Sequence, residues 1–524
     1  PLPPRCPPAA NCVFPSAHPR WLSVAETMTI VSEQYLDIVT YNKNALNNLR
    51  RAVVLGQDQF SLILARVNYQ RLHRVLAIEL GTHLHLDKVV VPENATNLRD
   101  VIEAQTAQIS QPTHQPRALM VTGLETISAI AKPLQGKITP TEGDNGKTFS
   151  PLEKILRAAN LGRDGLPKRF PYPIILWVND TVLQQLNRYA PDLKSFAATP
   201  IRFEYPTQSL IAVLREQAAD TFTQILDVDK GIVLSSCLPL SASITEPLAA
   251  RELAFALTQL EQLPDDQSDL VSNGLIADLL FLQGRNLHQQ GDLIRARSYY
   301  EKSLLHWQQD DSDQPVRTLD VEGENQTHAV LKSVDKQAVL NFHLGLWWRR
   351  QASLVKGDDE IQAAYRQARQ YFENALAIFR QEDRPDRIGR FVLALADVVQ
   401  KLEDWTELSE IARESTILHQ QDPARLARDY GYLAEVALAQ YQETPLPRYL
   451  QEVKNFAQQA LETSDQALYP QYAYPDPNSI TPTPASKTAL RYNRGCYFCL
   501  LARTRQLQGD AKTAIGQLAR ALLN

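Results

Sequence analysis

The stretch Gln59-Phe60-Ser61-Leu62-Ile63-Leu64-Ala65, continuing through Arg66-Val67-Asn68-Tyr69-Gln70-Arg71, decides how the N-terminal half is read. Leu62-Ile63-Leu64 is apolar on both faces, the mark of a strand covered by helices on either side, and a helix over 69–80 follows at once. In a nucleotide-binding α/β domain this junction carries G-x-x-x-x-G-K-[ST]. The glycines let backbone N–H groups curl around phosphate, and the lysine neutralises it. Here the junction holds neither glycine nor lysine. The frame of a nucleotide domain is expected without its phosphate cradle.

Working outward, Tyr35, Ile38, Tyr41, Leu46, Leu49 and Val53 form the apolar stripe of one helix over 33–56. Strands are expected at 60–65, 84–91, 118–122, 174–178 and 202–205, alternating with helices at 69–80, 98–109, 151–159 and 181–189. Such alternation implies right-handed crossovers and a parallel sheet, so residues 28–210 are read as one α/β domain. Two helical stretches, 209–226 and 247–263, flank an apolar, serine-rich loop and make 211–265 a helical linker or lid. Residues 1–27 hold seven prolines and no methionine, and Met28 reads as the biological start. The leader is read as disordered, and it lacks the apolar core of a signal peptide.

Bulk chemistry excludes several classes. A net charge of −5 gives no basic field for nucleic acid or an anionic membrane. The longest apolar runs, such as Pro173-Ile174-Ile175-Leu176-Trp177-Val178, are too short to span a bilayer, so no membrane insertion is expected. Five irregularly spaced cysteines make no disulfide framework, which favours a cytoplasmic location.

From 266 to 524 helices dominate and a pattern repeats: small residues on two helices, a turn glycine, and an aromatic on the second helix. Small residues let helices approach, and the aromatic fills the gap to the next copy. The first copy has Gly284, Gly291-Asp292, Ala296, Tyr300 and Ser303-Leu304; the second has Gly345, Ala368, Phe372 and Ala375-Leu376. Ala396, Asp404-Trp405, Ala412 and Ser415 mark a third, and Val453, Ala457 and Ala460-Leu461 a fourth. A fifth has Ala502, Gly509-Asp510, Ala514, Leu518 and Ala521-Leu522. These resemble tetratricopeptide repeats, with inserts around 308–327 and 469–484.

The α/β half carries a resemblance too. Phe170-Pro171-Tyr172-Pro173 with the strand to Asn179-Asp180, Ala190-Pro191-Asp192-Leu193-Lys194-Ser195-Phe196, Ala65-Arg66-Val67-Asn68 and Leu119-Met120-Val121-Thr122-Gly123-Leu124-Glu125 are similar to a set of bacterial proteins. Those join a degenerate AAA+/NACHT-like domain, a signalling-type P-loop NTPase, to C-terminal tetratricopeptide repeats. The resemblance covers most of 50–524 and implies signalling or complex assembly.

Candidate residues follow. Arg66 and Arg71, with Asn68, could meet phosphate at the first strand, and Glu125 stands where an NTPase keeps its acidic pair for Mg²⁺. The resemblance implies that the polar residue closing the fourth strand, Asn179 with Asp180, senses a terminal phosphate. The usual aspartate before Glu125 is replaced by Thr122-Gly123, and the lysine is missing, so turnover is not expected. The look-alike Gly143-Asp144-Asn145-Gly146-Lys147-Thr148 has its first glycine two residues too close and no strand to aim it. His83 with His85, and Cys496 with Cys499, are each two ligands short of a metal site, and apolar packing of the thiols is expected.

Carrying the repeat register over places Arg285, His288, Arg349, Arg350, Gln400, Lys401 and Arg503 along a groove. Mostly basic, they suit an acidic protein segment. The final helix ends without a polar cap, leaving Leu518, Leu522 and Leu523 for self-association. Together these features describe a non-catalytic interaction scaffold or signalling adaptor without a required cofactor. Two alternatives are a switch gated by ATP and Mg²⁺ bound near Arg66, Glu125 and Asn179, and a structural assembly factor within a larger complex.

Overall fold

The computed structural model describes residues 32–106, 116–130, 149–226, 247–264, 270–309, 332–469 and 484–524. The leader, the look-alike loop Gly143–Thr148, the serine-rich loop at 227–246 and nearly all of both repeat inserts lie outside the described residues. The chain divides into two compact units, Pro1–Leu210 and Ile211–Asn524. The first is an α/β sheet domain and the second is all-α, as the sequence leads one to expect.

In the first unit, five parallel strands, β1 (Ser61–Arg66), β2 (His85–Val90), β3 (Arg117–Thr122), β4 (Pro173–Val178) and β5 (Ile201–Arg202), lie in the order β2-β3-β4-β1-β5. β5 is two residues long instead of the expected four. The N-terminal helix is two helices, α1 (Ser32–Tyr41) and α2 (Lys43–Leu55). Asn42 breaks it: its buried amide donates to the carbonyls of Ile38 and Glu204, each at 2.9 Å, and accepts from the Glu204 N–H at 3.0 Å. An Asn side chain that competes for backbone in this way favours a break over a continuous helix.

Among the described residues seven further α-helices complete the scaffold: α3 (Gln70–Gly81), α4 (Leu98–Thr106), α5 (Leu124–Ile130), α6 (Pro151–Leu161) and, after the short α7 (Leu166–Arg169), α8 (Asp180–Tyr189) with α9 (Pro191–Ser195). Strand side chains alternate between faces. Leu62, Leu64, Leu119, Val121, Ile174 and Leu176 bury one face beneath α4, α5, α6, α8 and α9. On the other face, Trp177 of β4 meets His73 of α3, with ring centroids 4.5 Å apart. The helix leaving β1 and the helix leaving β4 therefore cover opposite faces, although the two strands are neighbours.

The second unit opens with α10 (Thr207–Leu226), within which the division falls, and α11 (Pro247–Glu261). Five helix pairs follow: α12 (Asn273–Gln290) with α13 (Leu293–Gln309), α14 (Ser333–Ala352) with α15 (Asp358–Gln381), α16 (Pro385–Lys401) with α17 (Trp405–Leu418), α18 (Pro423–Glu443) with α19 (Pro447–Leu468), and α20 (Pro484–Leu507) with α21 (Ala511–Leu522). Each copy read from the sequence falls on one pair. The first helices, α12, α14, α16, α18 and α20, also pack on one another along the array and form its inner layer.

The repeat rests on rings packed against bare backbone. A Cβ on Gly284 would come within 2.8 Å of the Tyr300 ring, and one on Gly345 within 2.5 Å of the Phe372 ring. Both rings are fully buried, and Ala296 and Ala368 beside them are at 0% exposure. Gly345→Ala should therefore destabilise the protein. Overpacking costs about 1–3 kcal/mol and the helix-propensity gain returns about 1, so a net loss of up to about 2 kcal/mol is expected as a lowered urea midpoint.

Candidate functional site

In an open parallel sheet, ligands sit outside the carboxyl ends of strands, where successive helices leave to opposite faces. Here that point lies between β1 and β4. Arg66 is the last residue of β1, paired in register with Val178, and the Val67 N–H donates to the Val178 carbonyl at 2.8 Å. Asn179 caps α8, its Oδ1 accepting from the Val182 N–H at 2.9 Å, so it is spent on helix capping and buried.

Asp180, in the first turn of α8, turns back into the crevice. Arg66 grips its carboxylate with a fork, Nε to Oδ1 and Nη2 to Oδ2 at 2.6 Å. The Asn68 Nδ2 donates to the same Oδ2 at 2.8 Å, while Asn68 Oδ1 accepts the Asp180 N–H at 3.0 Å. Burial works against the charged carboxylate, but the bonds from Arg66 and Asn68 outweigh it and hold Asp180 below the usual carboxylate range.

Two further candidates lie at this end of the sheet. Arg71 lies in the first turn of α3 and is half-buried. Glu125 stands at the end of β3, one strand beyond β4, and its Oε2 accepts the Gly123 N–H at 3.0 Å. Burial lifts the Glu125 carboxyl above its ordinary range. Gly123 has φ +103°, and a Cβ there would meet the Val91 carbonyl at 2.6 Å, so close approach to the end of β2 explains the glycine. Sequence reading thus found Arg66, Asn68 and Asp180 but not that they would satisfy one another.

In the helical unit, the register put Arg285 and His288 in a groove, yet they are 4% and 2% exposed. Both lie at the first repeat's core: His288 Nδ1 is 3.4 Å from the Tyr300 hydroxyl, and its carbonyl accepts from Arg350 Nη1 at 2.7 Å. Burial lowers Arg285 below its ordinary value. Inner helices buried on several faces leave few solvent-facing positions for such a register to fill.

Arg349 and Gln400 join a ladder of alternating charge across three inner helices. Arg349 Nη1 lies 3.4 Å from Asp397 Oδ2, Arg428 Nη2 lies 3.0 Å from Asp397 Oδ1, and the Tyr432 hydroxyl donates to that same oxygen. The Gln400 amide donates to Glu435. Lys401 and Arg503 are exposed, the latter donating to Gln506 Oε1 at 2.9 Å. Asp397, Arg428, Tyr432 and Glu435 were missed. Their signal was Arg428, Tyr432 and Glu435 on one helical face, opposite an aspartate one copy earlier.

Other candidates carry no site. Among the described residues no His, Cys, Asp and Glu cluster is suited to a metal ion, and no helix is long and apolar enough to cross a membrane. His83 precedes β2 and does not share it with His85. Cys496 is half-buried and Cys499 exposed, while Tyr497 and Phe498 between them do the packing. Ile515, Leu518, Leu522 and Leu523 are exposed on or beside α21, Leu522 at 90%.

A second polar cluster sits deep in the third repeat. Ser415 Oγ donates to Asp429 Oδ1 at 2.6 Å, and His419 places Nδ1 2.6 Å from Asp429 Oδ2 and Nε2 2.6 Å from the Gly389 carbonyl. The serine addresses the aspartate rather than the histidine and is sealed from solvent, so it is no nucleophile. The cluster ties α16, α17 and α18 together.

No protein-family model matches the chain, and no curated protein matches it in sequence. Among solved structures it is similar to BtubC from P. vanneervenii, at 14% identity over 52% of this chain and 87% of that one, with a TM-score of 0.33. It is also similar to a signal transduction ATPase with numerous domains and a tetratricopeptide repeat sensor from Pyrococcus horikoshii. That match has 11% identity over 92% of this chain and 94% of that one, with a TM-score of 0.20. Similarity at this level adds nothing to the fold described above.

Asp397 is 17% exposed and stands between two arginines, so Asp397→Ala removes the negative charge that joins them; a loss of about 3 kcal/mol is expected in urea unfolding. Acid should also weaken the protein. Burial lowers His73 and His288 to about 4 and His343 to about 3, against about 6.5 when unfolded. Their contribution is full above pH 6.5 and is lost as pH falls toward 4. Asp278, raised by burial to about 6, opposes them together with Glu125, Asp429 and Glu435, which burial also lifts, while Asp180 and Asp386, held below the usual carboxylate range, act with the imidazoles. The urea midpoint should fall from pH 7 to pH 4.5, and less steeply in His343→Gln.

Proposed function

We propose that this chain is a non-catalytic protein-interaction scaffold, its helical repeats receiving a protein partner while the α/β unit serves as framework instead of nucleotide engine. The observation that carries the reading is the carboxylate of Asp180 in the switch-point crevice. Arg66 and Asn68, the groups suited to a phosphate, already hold an anion belonging to the chain. A phosphate arriving there meets a like charge and must displace a two-point arginine bond. Losing the cradle lysine and the glycine loop removes the groups that would compensate.

For the partner, the ladder from Arg349 to Glu435 is the surface of interest, with Lys401 beside it. Its arginines are matched by Asp397, and Gln400 engages Glu435, so a segment bearing both signs of charge suits it better than the purely acidic one expected from sequence. Exposed Leu518, Leu522 and Leu523 support self-association as a further mode.

The thermal midpoint with and without millimolar Mg-ATP tests the reading. No shift is expected, whereas a ligand present at a hundred times its Kd would add about 2.7 kcal/mol and raise the midpoint by several degrees. Such a rise in the wild-type protein, lost in Arg66→Ala, would replace the scaffold with a nucleotide-gated switch.

A further inference from the structure

The inner helices α12, α14 and α16 head three successive repeats, and an open array would show one side of that layer to solvent. Instead α12 is buried without a break from Ala277 to Leu282. Part of the cover is α10, which precedes the repeats. Phe222 of α10, at 0% exposure, stacks on Phe281 of α12 with centroids 4.8 Å apart and planes at 24°. Lys336 Nζ of α14 stands 5.3 Å from the centre of the same ring and 2.7 Å from Asp278 Oδ2 of α12. Arg390 Nη2 of α16 donates to the Gln224 carbonyl at 3.3 Å, in the last turn of α10. One helix is thus held by a residue from each of three consecutive repeats.

The hold has the form of helix-in-groove recognition. Leu214, Ala218, Phe222 and Ile225 are buried at spacings of three and four, while Arg215, Glu216, Gln217 and Asp220 face outward. Arg390 meets α10 at its C-terminal end, where the helix dipole is negative. A permanent wall would be served better by an apolar contact, since buried charges contribute little net stability. Here Asp278, Lys336 and Arg390 stand beneath the helix, and groups of that kind fix register.

We propose that the inner face of the first three repeats is a receptor for an amphipathic helix, and that α10 is its resident, displaceable occupant. The outside partner is a protein helix of the same build: an aromatic residue about one turn from its C-terminal end, preceded by small and aliphatic residues at four-residue spacing. This rests on the reading of the repeats as a partner-binding array, and it assigns that array a self-blocked state. The site lies on α12, α14 and α16, and its aromatic anchor is separate from the charge ladder.

The test uses the full chain and a fluorescein-labelled peptide spanning residues 207–226, followed by anisotropy. Phe222→Ala removes the resident's anchor, so this variant should bind the peptide about tenfold or more tighter than the wild-type chain does. A peptide carrying the same Phe222→Ala change should not bind. A folded variant, with helical circular dichroism and a cooperative melt, that ignores the peptide would overturn the proposal. Should the variant not fold, hydrogen exchange in the wild-type chain decides. Amides of α10 are expected to exchange through local opening about tenfold or more faster than those of α14. Exchange of α10 only with global unfolding would make it a fixed wall. Failure here, alongside a partner whose binding is lost in Gln400→Ala, would leave the scaffold reading standing and remove only this inference.

Discussion

The helical unit depends on aromatic rings lying against helices that have no side chain at the point of contact, two within helix pairs and a third, Tyr497 on Gly431, between the inner helices α18 and α20. Tyr300 and Phe372 press on Gly284 and Gly345, and that approach brings the two helices of a pair close enough for Ala296 and Ala368 to vanish from the surface. Close pairs then stack, and the inner helices of neighbouring pairs meet. The inner helices become interior elements with several buried faces, which explains why charges such as Arg285 and Asp278 are buried with them. The third repeat, without such a ring, uses the Ser415–Asp429–His419 cluster to join the same elements. Polar bonding replaces shape complementarity there, a substitution that works only when every buried donor and acceptor is matched.

The α/β unit follows a different logic. Its sheet order sends the helices after β1 and β4 to opposite faces, which opens a crevice at their carboxyl ends. That geometry belongs to the topology and survives whatever happens to the loop. What the chain places in the crevice is its own aspartate, held through both carboxylate oxygens. An arginine fork matched from within leaves the charge in the crevice balanced by the chain itself.

Much of the architecture could be read from residues. Leu62-Ile63-Leu64 and Ile174-Ile175-Leu176, apolar on both faces, point to the covered parallel sheet, and spaced small residues, with Gly-Asp turns in the first and fifth copies, point to the five pairs. Periodicity reports which side of an element is apolar and so places it in a layer. It does not report which polar groups will find each other. Arg66, Asn68 and Asp180 are 114 or fewer residues apart but meet only because β4 lies beside β1. Asn42 splitting a helix to reach Glu204 is a contact of the same type. The groove register failed at Arg285 and His288 because it treated inner helices as having one buried side, when α10 lies over part of that layer.

The central place of β1 also bears on how the chain is made. β1 leaves the ribosome before the other described strands, yet its neighbours are β4 and β5, more than a hundred residues later in the sequence. Until they are synthesised, Ser61–Arg66 has two unpaired edges and an apolar body, which is the kind of segment that associates with other chains. β2 and β3, which pair with each other, make up only one flank of the sheet. The centre of the sheet, where β4 lies between β3 and β1, is therefore available only once residue 178 has been made. The time taken to translate 67–172 thus sets how long β1 stands without its native neighbours.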